Sequence, residues 1–304
     1  MPHGSQRLAL LITCTLLLAA SCAVPPPRSG ETTPLRWSTS GPDLVDVAYG
    51  PEPEHLARIH LPTAGGNRGV IITVHGGGFT EGSPDMVEDW FGPVMRQTTR
   101  GFAVVNVAYR LASASGNHFP VGVQDVSTAV RWVREQGRSH GLEPRTVIVA
   151  GHSAGGTIAA LLGTASNSSP SGPLGRTAAV DGWLSFAGIY DFTTDDRKIR
   201  PLARTWLGPQ ASQRRRLESA SAVRHLDRRD PPGFVVHGDL DGIVPASQLH
   251  VLLAAAGRAG VTARLFWDSV GAGRPFHCRN HLPQCGMNAS VLDDWVIRVA
   301  ARTL

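Results

Sequence analysis

Short apolar runs rich in β-branched residues recur along the chain, each closed by glycine, proline or a polar cluster, and these runs set the expected elements. Gly69 to Val74, Phe102 to Val107, Val147 to Val149, Trp183 to Phe186, Gly233 to His237 and Thr262 to Trp267 read as strands. The continuously apolar ones are expected to be buried strands. Asp43 to Tyr49 and Ala57 to Leu61 alternate apolar and polar residues around the turn-rich Gly50-Pro51-Glu52-Pro53. They predict an antiparallel hairpin at one sheet edge. Val123, Val126, Val130 and Val133 share one helix face over Val121 to Gln136, which predicts a crossover helix leading to the Val147 strand. Further helical stretches are expected around Pro201 to Leu207 and Ala211 to Glu218. Val291, Leu292, Trp295, Val296 and Val299 predict a closing helix within Ala289 to Leu304.

With 304 residues, 42% of them hydrophobic, the chain can bury one large core, and a single domain over residues 43–304 is expected. Residues 1–22 read as a targeting segment instead. Arg7 supplies a positive start and Leu8 to Ala20 an apolar run too short to span a bilayer. Ala19-Ala20-Ser21 before Cys22 resembles a bacterial lipoprotein signal, which implies cleavage and lipidation at Cys22; ordinary secretion is the alternative. Residues 23–42, with Pro25-Pro26-Pro27, read as a semi-rigid tether. The net charge of +5 comes almost wholly from scattered arginines. The clusters Arg214-Arg215-Arg216 and Arg228-Arg229 are expected to be solvated helix faces, so no nucleic-acid partner is expected, and a membrane only through the anchor.

Candidate chemistry centres on Thr146 to Ala160, in which Gly151-His152-Ser153-Ala154-Gly155 fits G-x-S-x-G between a strand and a helix. Side chains two residues either side of Ser153 would collide with the strand and helix, hence the glycines. Ser153 is the expected nucleophile, and the Ala154 N–H lies where an oxyanion would form. His75-Gly76-Gly77-Gly78-Phe79 follows a buried strand, and glycines there let the N–H groups of Gly77 and Gly78 face the same oxyanion. Downstream, Asp239 and Asp241 compete as the carboxylate that would orient a histidine.

Taken together, HGGGF, Tyr109-Arg110-Leu111-Ala112 with Phe119-Pro120, Asp125 and Trp132, GHSAGG and HGDLDGIVP resemble the α/β-hydrolase carboxylesterases of the hormone-sensitive-lipase-like group. The resemblance covers roughly Val45 to Asp268. It implies an α/β-hydrolase fold: a mostly parallel eight-stranded sheet flanked by helices, a small lid insertion between Tyr190 and Pro232, and a serine esterase site at the carboxyl ends of the strands. Asp125 and Trp132 are expected to be a buried partner for the Tyr-Arg loop and a core aromatic. The pattern HG-x-x-D-x-x-VP selects Asp241 as the acid. Small ester substrates are implied, and no cofactor.

At the base this chain departs from the family. Where G-A-G-H-G-F is usual it has Gly271-Ala272-Gly273-Arg274-Pro275-Phe276, and a guanidinium stays protonated. His277 is the first choice, being nearer the strand end, and His281 the second. Cys14 lies in the apolar leader and Cys22 at the anchor, so Cys278 and Cys285 remain as a pair that an oxidising compartment would join. Closing that short loop would stabilise the fold by about 2.5 kcal/mol. The same stretch has ligand types suited to zinc, and the disulfide is the preferred reading, with no metal. Two alternatives stay open: an exopeptidase of the same fold, and, because of Arg274, a non-catalytic surface lipoprotein.

Overall fold

A computed structural model describes residues 43–64, 66–165, 174, 177–270 and 289–304. The leader, Cys22 and the tether lie outside these residues. In chain order the strands are β1 (Asp43–Ala48), β2 (Leu56–His60), β3 (Gly69–Val74), β4 (Phe102–Val107), β5 (Val147–His152), β6 (Gly182–Phe186), β7 (Gly233–Gly238) and β8 (Leu265–Val270). The helices are α1 (Asp85–Trp90), α2 (Gly92–Met95), α3 (Val121–Gln136), α4 (Ala154–Ala165), α5 (Ile199–Leu207), α6 (Arg214–Ser219), α7 (Ser247–Ala259) and α8 (Ala289–Ala300).

The strands form one sheet in the order β1-β2-β4-β3-β5-β6-β7-β8. β1 pairs antiparallel with β2, and β2 antiparallel with β4. From β4 through β3, β5, β6 and β7 to β8 every pairing is parallel. The expected edge hairpin is therefore present. Yet β2 is buried along nearly its whole length, because it lies between β1 and β4 and is not itself an edge.

Strand alternation divides the apolar residues between two cores. Val70, Ile72, Val105, Val147, Val149, Trp183 and Val235 face a layer that includes α3, α4 and α7. Ile71, Phe102, Ile148, Leu184 and Phe234 face α1, α2 and α8. A period of two along a doubly covered sheet gives this division directly.

Three expectations change. The last strand begins at Leu265, since Thr262–Arg264 forms a 3-10 turn, and it continues to Val270. Helix α7, whose buried Leu249, Leu252 and Ala256 sit at helical spacing, was not anticipated. Arg216 is not a solvated residue: its Nε donates to Leu207 O at 3.0 Å and its Nη2 to Phe119 O. Arg214 does behave as a surface residue, pairing with Glu218 one helical turn on.

Asp125 is buried on α3 and accepts from the Arg110 backbone N–H at 2.9 Å and the Arg110 guanidinium at 2.6 Å. His55 is buried, with Nε2 3.0 Å from Asp125 Oδ1 and its ring stacked on Tyr49. Trp132 is a core aromatic, as expected. Beneath the other face, Glu88 on α1 meets the buried Arg58 at 2.9 Å and His60 at 3.0 Å. Among the described residues no helix is long and apolar enough to cross a membrane.

Candidate active site

Ser153 stands between β5 and α4 with φ 54°, a left-handed conformation that costs a non-glycine residue energy and is held only by its surroundings. Those surroundings are specific. The Ser153 N–H donates to Phe186 O at the end of β6 at 2.7 Å, and Ser153 O accepts from the Thr157 N–H at 3.0 Å. A Cβ on Gly151 would stand 2.1 Å from Gly155 O, and one on Gly155 would stand 2.1 Å from Val74 O. Both glycines are thus needed for strand, helix and neighbouring strand to approach at the elbow. Ser153 is 9% exposed and follows the carboxyl end of β5.

The glycine loop after β3 runs beside it. A Cβ on Gly76 would lie 3.2 Å from Ser153 Cβ, which sets the closeness of loop and elbow. Gly77 has φ 108° and Gly78 φ 59°, and a Cβ on Gly77 would meet Glu81 O at 2.0 Å. Gly77 O turns away to accept the N–H groups of Thr80 and Glu81 at 3.0 and 3.1 Å. Among the described residues no acceptor takes the N–H of Gly77 or Gly78. Successive donors in left-handed backbone next to a helix N-terminus form a concavity for negative charge. His75 is buried, its pKa pushed down to about 4 by that burial; Nδ1 lies 2.7 Å from Gly76 O and the ring stacks on Tyr109.

Across the elbow, β7 ends in the loop that carries the two competing carboxylates. Asp241 is buried, and its Oδ1 accepts from the N–H groups of Ile243 and Val244 at 2.8 and 2.9 Å. Asp239 is exposed. His237 Nε2 donates to Val244 O at 3.0 Å and lies 3.7 Å from Asp241 Oδ2. The structure thus gathers Ser153, Gly77, Gly78 and Ala154 at one place and sets Asp241 on the β7 loop. His277, His281, Cys278, Cys285 and Arg274 lie outside the described residues. Among the described residues no cluster of His, Cys, Asp or Glu is arranged to hold a metal.

Several supports escaped the sequence. Ser185 Oγ donates to Gly156 O at 2.9 Å and meets Tyr190 OH at 2.8 Å, while Thr157 Oγ1 accepts the Ile189 N–H at 2.8 Å. Together they tie α4 to the segment after β6. Burial raises the Tyr190 phenol, so it stays protonated and able to donate. Gln248 Oε1 accepts the N–H groups of Tyr190 and Asp191. A Ser or Gln with no motif around it has no signal in a single sequence.

A family described as BD-FAE matches residues 58–255. Esterase LipC of Mycobacterium tuberculosis is 30% identical over 217 residues, covering 66% of this chain and 52% of the relative. Esterase LipQ of the same organism is 29% identical over 229 residues, covering 71% and 53%. The chain thus spans about half the length of these curated relatives. Among solved structures, the bifunctional GH43-CE protein of Bacteroides eggerthii superposes with a TM-score of 0.72 at 24% identity, over 86% of this chain and 36% of that one. The propionate-bound thermophilic esterase of Thermogutta terrifontis gives 0.64 at 20%, over 84% and 94%. At such identities the superpositions speak for the fold. The chain belongs to the BD-FAE family and has the α/β-hydrolase fold.

Proposed function

We propose that this domain is a serine carboxylesterase that hydrolyses small, short-acyl esters through an acyl-enzyme. The observation that carries this reading is the left-handed Ser153 beside a glycine loop whose Gly77 and Gly78 N–H groups meet no acceptor among the described residues. Ser153 Oγ attacks the ester carbonyl as its proton passes to a histidine, for which His277 is the candidate and His281 the second. Asp241 orients that ring and balances the imidazolium. The N–H groups of Gly77, Gly78 and Ala154 hold the oxyanion, each such donor contributing roughly 3 kcal/mol to the transition state. The alcohol leaves with the proton, and water then cleaves the acyl-enzyme by the same route. The esterases among the relatives support the reaction class.

The test is turnover of short-acyl nitrophenyl esters together with labelling by a fluorophosphonate. The expected result is ester hydrolysis, an adduct on Ser153, and a loss of roughly a million-fold in Ser153→Ala. Near-normal turnover in that variant overturns the nucleophile. Cleavage of aminoacyl anilides in place of esters moves the assignment to an exopeptidase, and absence of both turnover and adduct to a binding module. We also propose export with a lipid on Cys22 and a Cys278–Cys285 disulfide, supported by the leader and by cysteine placement. Incorporation of a labelled fatty acid that Cys22→Ala abolishes, and mass mapping of non-reduced peptides, test these two.

A further inference from the structure

Phe79, the residue directly after the glycine loop, has φ 71° although it carries a bulky ring, and it is buried. A non-glycine residue stays in that region only when contacts over-determine it. Its ring lies flat on Trp206 of α5, with centroids 4.0 Å apart and planes 7° from parallel. Phe192 and Phe119 close around the same indole, at 5.3 and 5.0 Å. On the backbone side, Phe79 O accepts the Ala112 N–H at 2.8 Å. One helical turn before Trp206, Leu202 Cδ2 sits 3.6 Å from where a Cβ on Gly78 would be.

The platform that presents Trp206 is itself pinned. A helix end leaves its last carbonyls without intrahelical partners. Here three successive carbonyls of α5 are taken from outside the helix: Thr205 O by His118 Nδ1 at 3.2 Å, Trp206 O by the Phe119 N–H at 2.8 Å, and Leu207 O by Arg216 Nε at 3.0 Å. Arg216 then also binds Phe119 O, which closes the ring of contacts. The small insertion between β6 and β7 is therefore a braced element bearing on the glycine loop.

We propose that Trp206 is a positioning residue for the oxyanion loop: its flat contact with Phe79 keeps Gly77 and Gly78 in the left-handed conformation that turns their N–H groups toward Ser153. This rests on the esterase reading for its catalytic consequence, though not for its conformational one. Donor placement matters mainly where charge develops, so loss of the contact lowers kcat and leaves KM largely unchanged.

The experiment compares wild type, W206F, W206L and F79L by nitrophenyl ester kinetics and by amide hydrogen exchange of the segment spanning residues 75–82. W206L is expected to lose roughly tenfold to a hundredfold in kcat, with KM within about twofold, and to exchange faster in that segment. W206F, which keeps a stacked ring, is expected to restore most of both. F79L breaks the same contact from the other side and serves if W206L does not fold. Unchanged kcat and unchanged exchange in a folded W206L or F79L overturn the proposal, as does a change in KM alone. An inactive wild type whose exchange still responds to W206L overturns the esterase reading and leaves this one standing.

Discussion

The two loops that carry the candidate oxyanion donors and the candidate acid are held by different physics. On the glycine-loop side the N–H groups are held by backbone conformation and packing: positive φ at Gly77, Gly78 and Phe79, and an aromatic stack behind them. On the β7-loop side a single charged side chain, Asp241, is held by two backbone N–H groups, while Asp239, Leu240, Gly242 and Ile243 around it are exposed. In the first the donors themselves are backbone groups, disturbed by added bulk at the glycines or by loss of the stack behind them; in the second the acid is a replaceable side chain on an exposed loop.

The largest expected contrast comes from Asp241→Asn, which keeps the volume and removes the charge. Turnover should fall roughly ten-thousand-fold with the melting temperature little altered; a fall below tenfold would transfer the acid role elsewhere. Gly77→Ala should act by the opposite route. Its Cβ meets Glu81 O at 2.0 Å from a φ of 108°, so the loop must shift, and kcat should drop by about a hundredfold to a thousandfold. Equal kcat in that variant would mean the loop donors are not used.

His75 sharpens the comparison through pH. Its folded pKa of about 4 lies below the ordinary histidine value, so between those two values the unfolded chain binds a proton that the folded one does not. Stability should be complete above pH 6.5 and decline as pH falls toward 4, by on the order of 3 kcal/mol. Urea titrations at pH 7 and pH 5 of wild type and His75→Asn check this, the variant showing a smaller difference between the two by the His75 contribution. The smallest effect belongs to the exposed loop: Leu240→Ser and Ile243→Ser, at positions 50% and 53% exposed, should leave stability within about 0.5 kcal/mol.

What could be read in advance divides along the same line. Strands β3, β4 and β7, helix α3 and the Ser153 elbow were legible because each rests on local rules, the spacing of apolar residues and the room around a glycine. Asp241 needed the family pattern to be chosen over Asp239, and the structure adds that it is the buried one of the two. Trp206, Arg216, Ser185 and Gln248 were not legible. The partner of Arg216 is 97 positions away, and the acceptor role of Gln248 spans 58.

By itself the sequence determined the alternation of strands and helices, the turn that only glycines permit around Ser153, and the glycine loop that precedes it, because sterics and periodicity act between near neighbours. Only the tertiary structure decided that β2 is interior, that Arg216 is a clamp and not a solvated cation, and that an indole from the insertion lies against Phe79. Those outcomes depend on which distant segments the folded sheet brings together, and no local pattern encodes that pairing.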